Sequence, residues 1–158
     1  MRIDLPNPIE FSRLFSRIVK KEKKYLINGI SIDSRNIKKN DLFVALDGEK
    51  VDGNNFINQA IDSGCSAVLS SKSNLNHSNI PHINIQNPKK IIGKIAKKWR
   101  EKFKIDVVGI TGSNGKTTTK DLLVHIFSTQ KNVHGTIGNY NTDLGLPLTL
   151  LQLNKSLK

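Results

Sequence analysis

A short glycine-rich segment carries the residues whose types and spacing are best suited to chemistry. It spans residues 111–117, TGSNGKT, between an apolar run over Ile105–Thr111 and a helix-like run that continues to about Ser128. The glycines allow backbone N–H groups to close around anionic oxygens, and a helix N-terminus adds a favourable dipole. Lys116 can reach the β- and γ-phosphates of a nucleotide, and the Thr117 hydroxyl can hold Mg²⁺. The segment therefore predicts a phosphate-binding loop.

This loop departs from the strict phosphate-loop pattern G-x-x-x-x-G-K-[ST] at one position. The pattern requires glycine where this chain has Ile110, so the prediction rests on the later residues and on the strand–loop–helix context. The alternative to a phosphate-binding loop is a chance Gly-Lys-Thr turn. For Thr118, the alternative is that it only forms part of the first helical turn. The predicted ATP contacts are Gly112, Ser113, Asn114, Gly115, Lys116, Thr117 and Thr118, of which Lys116 and Thr117 are also the predicted catalytic residues.

Composition and charge narrow the class of protein. The 158 residues include 25 Lys+Arg against 13 Asp+Glu, a net charge of +12. Most of these cations are lysines without interleaved aromatic residues, which argues against a nucleic-acid-binding protein. No run approaches the roughly 20 apolar residues of a membrane span, and the N-terminus lacks a signal-peptide pattern. We therefore expect a cytoplasmic protein, in which the single cysteine, Cys65, packs in the core.

Apolar patterning predicts the elements that must position the loop. Strand-like and helix-like runs alternate, which favours an α/β fold. We expect an N-terminal domain over residues 1–103 and, over residues 104–158, the first strand–loop–helix part of an ATPase domain. The predicted helices are Asn7–Val19, Asn55–Ser63 and one from an Asn87 cap to near Phe103; the predicted strands are Leu26–Ile32, Asp41–Leu46, Ala67–Leu69, Ile80–Ile85 and a buried Ile105–Thr111.

The loop sequence resembles that of the Mur ligase superfamily, T-G-[ST]-N-G-K-[ST]. The resemblance implies an ATP-dependent enzyme that forms amide bonds. Folylpolyglutamate synthases have a similar loop, so the flanking residues must distinguish the substrates. Three flanks resemble the branch that adds D-alanyl-D-alanine to a UDP-N-acetylmuramoyl-tripeptide. They are residues 32–49 with Asp33-Ser34-Arg35 and DLFVALDGE, residues 52–56, DGNNF, where the family often has DGHDF, and residues 138–151, GNYNTDLGLPLTLL.

The resemblance implies further contacts. Ser34 and Arg35 would bind the UDP-linked substrate, although on residue chemistry alone they also fit an ordinary turn. Asn139 and Asn141 would contact the substrate or the γ-phosphate, the alternative being that they only shape a turn. Asn54, Asn55 and Thr142 depart from the pattern and receive no role.

The family mechanism proceeds through an acyl phosphate, formed by a substrate carboxylate at the γ-phosphate of ATP and then displaced by the amine of D-alanyl-D-alanine. The implied cofactors are ATP and Mg²⁺, and we expect a monomer. Three alternatives remain: the related ligase that adds the third peptide residue, a folate-type ligase, and a non-catalytic nucleotide-binding module. Since family members are much longer, we expect the 158-residue chain alone to be inactive.

Overall fold

The computed structural model describes residues 1–21, 26–48, 51–72, 80–138, 140 and 142–157. The chain forms two compact units, Met1–Ile95 and Ala96–Lys158. The elements in chain order are β1 (Arg2–Asp4), α1 (Pro8–Val19), β2 (Gly29–Ser31), β3 (Asp41–Val44), α2 (Ile57–Asp62), β4 (Ala67–Ser70), β5 (His82–Asn84), α3 (Pro88–Arg100), α4 (Lys116–Ser128) and α5 (Gly145–Leu151), with 3₁₀ turns at Ser34–Asn36 and Gly53–Phe56. The division into domains at residue 103 stays a prediction.

The first unit contains a five-stranded sheet in the order β1-β2-β3-β4-β5. β1 is antiparallel to β2, and β2 through β5 are parallel to one another. The predicted α/β class is therefore confirmed. Parallel strands all end at the same edge, so the segments that follow β2, β3 and β4 lie at one carboxyl edge of the sheet, where α/β proteins bind their ligands.

Sequence-encoded caps begin α1 and α3. The Asn7 side chain accepts a hydrogen bond from the Glu10 N–H at the start of α1, and Pro8 occupies the first turn. The Asn87 side chain accepts one from the Lys90 N–H at 2.9 Å, as the sequence predicted for α3. The core cluster beneath the sheet consists of Phe43, Ala45, Ile57, Ala60, Cys65 and Val68.

The second unit buries fewer side chains than the first. Trp99 is 1% exposed, and its Nε1 donates to the Leu153 carbonyl at 3.0 Å. Leu148 and Leu151 of α5 are fully buried. By contrast, α4 has no buried residue, although it contains five large apolar side chains. No described helix has the length and apolar character needed to cross a membrane.

One predicted strand is wrong. Residues 105–111 have no strand structure, and Val107 and Val108 are 58% and 64% exposed. A buried parallel strand needs hydrogen-bonded neighbours and helices on both faces. Within the described part of the chain, no strand pairs with these residues. Conversely, β1 was not predicted, because its three residues are too short to show a period.

Candidate functional site

The glycine loop adopts backbone angles that favour its two glycines. Gly112 has φ +153° and Gly115 has φ +75°, a region that residues with a Cβ rarely adopt. A Cβ at Gly112 would lie 3.5 Å from the Asn114 carbonyl oxygen, an ordinary contact distance, so the backbone angle and not a lack of space favours glycine there. The backbone conformation of the loop therefore favours glycine at positions 112 and 115.

The loop leads directly into the N-terminus of α4. Gly115 is the N-cap residue, and no side chain caps this helix end. The first intrahelical bond runs from the Thr119 N–H to the Gly115 carbonyl at 2.8 Å. The preceding N–H groups of the first turn have no intrahelical acceptor and can receive an anion. This end of α4 fits the phosphates of a nucleotide.

Lys116 lies folded over the loop. Its ammonium donates to the carbonyl of Gly112 and, at 3.2 Å, to that of Ser113. These bonds hold a cation beside the open N–H groups of α4, so that both kinds of donor can act on the same anion. Thr117 follows on the exposed first turn. Among the described residues, no group of three or more His, Cys, Asp or Glu side chains could hold a metal ion.

Ser34 and Arg35 lie in the 3₁₀ turn that follows β2, at the carboxyl edge of the sheet. Ser34 is 5% exposed, and its hydroxyl donates to Gln59 Oε1 of α2 at 2.7 Å. Arg35 makes two bonds to the Asp33 carboxylate, at 2.9 and 2.8 Å, while 79% of its side chain is exposed. The bonded guanidinium lowers the pKa of Asp33 to about 2. The turn thus fixes Ser34 and presents Arg35 to solvent.

Two predicted site residues, Asn139 and Asn141, lie outside the residues that the structure describes. Thr142, which departs from the family pattern, is described. Its hydroxyl accepts a hydrogen bond from the Gly145 N–H at 3.1 Å, at the start of α5. Asn55, which like Asn54 departs from the family pattern and has no predicted role, is exposed.

Sequence reasoning missed a polar network at the carboxyl edge. Asp47 accepts hydrogen bonds from Asn54 at 2.6 Å and from Ser71 at 2.8 Å. Asp52 accepts a second hydrogen bond from the Asn54 amide at 2.7 Å and forms an ion pair with Lys72. Since Ser71 and Lys72 are consecutive, these five residues close a ring between the ends of β3 and β4, which we call the strand-end ring. Its signal in the sequence was the two Asp-Gly pairs at residues 47–48 and 52–53.

One carboxylate of the strand-end ring, that of Asp52, has a lowered pKa. The Lys72 ammonium lowers the pKa of Asp52 to about 2, and the bonds from Asn54 act in the same direction. Asn54 itself is 8% exposed. Its buried Oδ1 has no hydrogen-bond partner among the described residues. Buried acceptors without a protein partner are uncommon in folded proteins.

A Ser–His pair lies beneath the ring without the chemistry of a hydrolase. Ser70 Oγ and His82 Nε2 are 2.6 Å apart, and Ser70 is fully buried. The Ser70 hydroxyl donates to the Lys72 carbonyl at 3.0 Å, so its lone pair accepts from the imidazole N–H. The imidazole therefore takes no proton from Ser70. Cys65 is also buried, as predicted, and burial raises the pKa of its thiol to about 12.

Two family descriptions match separate parts of the chain. The family described as "Mur ligase family, catalytic domain" matches residues 26–100, and "Mur ligase middle domain" matches residues 110–158. The first match contains strands β2 to β5 and the strand-end ring, and the second contains the glycine loop. The chain belongs to the Mur ligase family. The resemblance of the loop and its flanks to that family is thereby confirmed.

Curated Mur ligases are similar in sequence to this chain over most of its length. The UDP-N-acetylmuramoyl-tripeptide–D-alanyl-D-alanine ligase of Bacillus subtilis is 40% identical over 129 residues, and that of Escherichia coli is 35% identical over 127. These matches cover 81% and 80% of this chain but 28% of each relative. The chain therefore spans little more than a quarter of the curated ligases that it matches.

Solved Mur ligase structures share the fold. MurF from Acinetobacter baumannii has a TM-score of 0.84 at 28% identity, covering 98% of this chain and 35% of that one. The MurF ligase from Thermotoga maritima, solved in complex with ADP, has a TM-score of 0.73 at 33% identity and covers 81% and 30%.

Proposed function

We propose that this chain is the substrate-binding and phosphate-loop part of an ATP-dependent ligase that joins D-alanyl-D-alanine to a UDP-N-acetylmuramoyl-tripeptide in peptidoglycan precursor synthesis. The observation that carries the proposal is the agreement with ligases named for this reaction. Their 35–41% identity extends over about four fifths of the chain.

The glycine loop would hold the phosphates of ATP. Its proposed contacts are the backbone N–H groups from Gly112 to Thr118, together with the Lys116 ammonium and the Thr117 hydroxyl, the last as a Mg²⁺ ligand. The support is the open N-terminus of α4 beside a cation held on the loop. ATP, when bound, supplies the phosphoryl group that activates a substrate carboxylate. The loop residues orient and neutralise that group, which is how proteins accelerate phosphoryl transfer.

The turn after β2 would bind the UDP-linked substrate. Arg35 is exposed and oriented by Asp33, so it can give N–H donors to a phosphate or uracil oxygen. Ser34 gives its hydroxyl hydrogen to Gln59, so it would act on the substrate as an acceptor. Asn139 and Asn141 remain proposed contacts to substrate or γ-phosphate. We place the reaction in the cytoplasm, where ATP is available, and the monomeric state stays a prediction.

Binding experiments on the 158-residue chain test the proposal. We expect it to bind the UDP-N-acetylmuramoyl-tripeptide more tightly than the dipeptide precursor or a folate, and to bind ADP with Mg²⁺. Lys116→Ala should weaken ADP binding by about tenfold, as expected when a charge-assisted hydrogen bond is lost. Lys131→Ala, an exposed lysine beyond α4, is the control and should leave affinity unchanged.

The opposite results would be decisive. Preference for the dipeptide precursor indicates the related ligase that adds the third residue, and preference for a folate indicates a folate-type ligase. Binding of ADP without any UDP-linked compound indicates a nucleotide-binding module. Each of these outcomes rejects the proposed reaction.

A further inference from the structure

The strand-end ring places a lysine at the same edge of the sheet as the proposed substrate turn. Ser34 and Arg35 follow β2, and Lys72 follows β4. With β3 between them, two strand spacings of about 4.8 Å separate these positions, or about 10 Å. One extended nucleotide diphosphate can span that separation.

Two independent sets of bonds hold Lys72 in place. Its backbone carbonyl accepts from the Ser70 hydroxyl, which in turn accepts from His82. Its ammonium is paired with Asp52, and Asn54 fixes that carboxylate through both its backbone N–H at 2.8 Å and its amide at 2.7 Å. An exposed lysine ordinarily loses too much rotamer entropy to be fixed for stability alone.

The turn that carries Asp52 is fixed against the end of β3. The Gly53 N–H donates to the Leu46 carbonyl at 2.8 Å. A Cβ at Gly53 would lie 2.8 Å from the Leu46 nitrogen, closer than side chains pack. The turn that carries Asp52, the partner of Lys72, is therefore hydrogen-bonded to the end of β3 and packed closely against it.

The ring has hydrogen-bonding capacity that its own contacts do not use. An ammonium has three N–H donors, more than the bond to Asp52 requires, and 56% of the Lys72 side chain is exposed. Each carboxylate has about four acceptor sites, of which Asp47 uses two in the ring. The buried Oδ1 of Asn54, which has no hydrogen-bond partner in the described part of the chain, is a cost that the ring retains. A cation held in place can bind a phosphate, and two carboxylates can accept hydrogen bonds from sugar hydroxyl groups. The ring therefore suits a phosphorylated sugar.

We propose that Lys72 binds the diphosphate of the UDP-linked substrate and that the other members of the strand-end ring, Asp47, Asp52, Asn54 and Ser71, hold it in position. This inference rests on the proposed function, because it assumes that the carboxyl edge binds such a substrate. It adds a second cation to Arg35, so that the substrate diphosphate is bound from two strand ends.

The test compares uridine, UMP and UDP as probes, measured by calorimetry with the 158-residue chain. The variant is Lys72→Met, and Lys72→Arg is the conservative replacement. Lys98→Met is a matched control, because Lys98 is 55% exposed and also ion-paired, to Glu101. Thermal unfolding of each variant checks that it folds. If Lys72→Met does not fold, Lys72→Gln, which can still donate to Asp52, replaces it.

We expect Lys72→Met to weaken UDP binding by about tenfold, as for loss of a charge-assisted bond to phosphate, and to leave uridine binding unchanged. Lys72→Arg should retain UDP affinity, and Lys98→Met should match the unaltered chain. If Lys72→Met binds UDP normally while Arg35→Ala does not, the role of Lys72 is refuted and the proposed function stands. If the unaltered chain binds neither UDP nor UDP-N-acetylmuramoyl-tripeptide, both are refuted.

Discussion

Arg2 and Asp41 form a bidentate ion pair that crosses a strand. Arg2 Nε lies 2.6 Å from Asp41 Oδ2, and Nη2 lies 3.0 Å from Oδ1, so β1 is joined to β3 over the intervening β2. The residue of β2 beneath the pair is Gly29, whose hypothetical Cβ would lie 2.5 Å from Asp41 Oδ1 and 2.6 Å from the Ile3 carbonyl. The pair therefore requires a glycine at this position.

Gly29→Ala should destabilise the protein. The added methyl group has no space, and overpacking of this kind costs about 1–3 kcal/mol. Gly93→Ala is the matched control, because a Cβ there meets nothing within 4 Å and the residue lies inside α3. That change should stabilise by about 1 kcal/mol, the difference in helix propensity. Denaturant unfolding followed by circular dichroism measures both, and equal effects of the two changes would contradict the contact at Gly29.

Asp41→Asn should lower the free energy of unfolding more than the same change at an exposed aspartate does. Asp41 is fully buried and the Arg2 side chain is 11% exposed, so the change leaves a largely buried cation without its main partner. Such a loss costs about 3–5 kcal/mol. Asp4→Asn is the control, because Asp4 binds the same guanidinium but is 76% exposed and should contribute less than about 1 kcal/mol. Comparable losses of unfolding free energy for both variants would show that burial of Asp41 is unimportant.

The strand-end ring should be sensitive to acid in a defined range. The pKa of Asp52 is lowered to about 2 in the folded protein, below its ordinary 3.8. Its contribution to stability is therefore fully present above the ordinary value and is lost as the pH falls toward 2. Carbon-detected NMR of the Asp52 carboxyl group measures the midpoint directly.

Lys72→Met should raise that midpoint toward the ordinary value, because the ammonium is the largest cause of the shift. Asp33 provides the internal control, since its pKa of about 2 depends on Arg35 and should not change. An Asp52 midpoint that stays near 2 in Lys72→Met would reject the ion pair as its cause.

Cys65 should be unreactive while the protein is folded. Only the thiolate reacts, and burial both raises the pKa of this thiol to about 12 and blocks access to it. A thiol-specific chromogenic reagent near neutral pH should therefore modify it slowly in buffer and completely in denaturant. Rapid reaction under native conditions would mean that the core cluster around Phe43 and Cys65 opens readily.

The sequence predicted those elements whose signals are local. The Asn87 cap, the helix that begins after Asn7 and the apolar run that became β3 all depend on neighbouring residues, and the structure contains each of them. Apolar spacing likewise located α3, and the context of the glycine loop located α4. These parts of the fold needed no knowledge of tertiary contacts.

Features that depend on distant residues were not predictable. Residues 105–111 have the composition of a buried strand, but composition cannot supply the neighbours that a strand requires. The strand-end ring joins Asp47 directly to Ser71, 24 positions away, and it contains Asn54, which the family pattern marked only as a departure. The ion pair of Arg2 with Asp41 spans 39 positions. Contacts at such separations are set by the sheet topology.

The strand order of the sheet has a consequence for biosynthesis. Every strand from β2 to β5 pairs with the strand immediately before it in the chain. Each pairing partner has therefore already left the ribosome when the next strand emerges, and the N-terminal part of a chain folds first during synthesis. The sheet can grow one strand at a time from its β1 edge, so translation itself delivers the strands in the order in which they assemble.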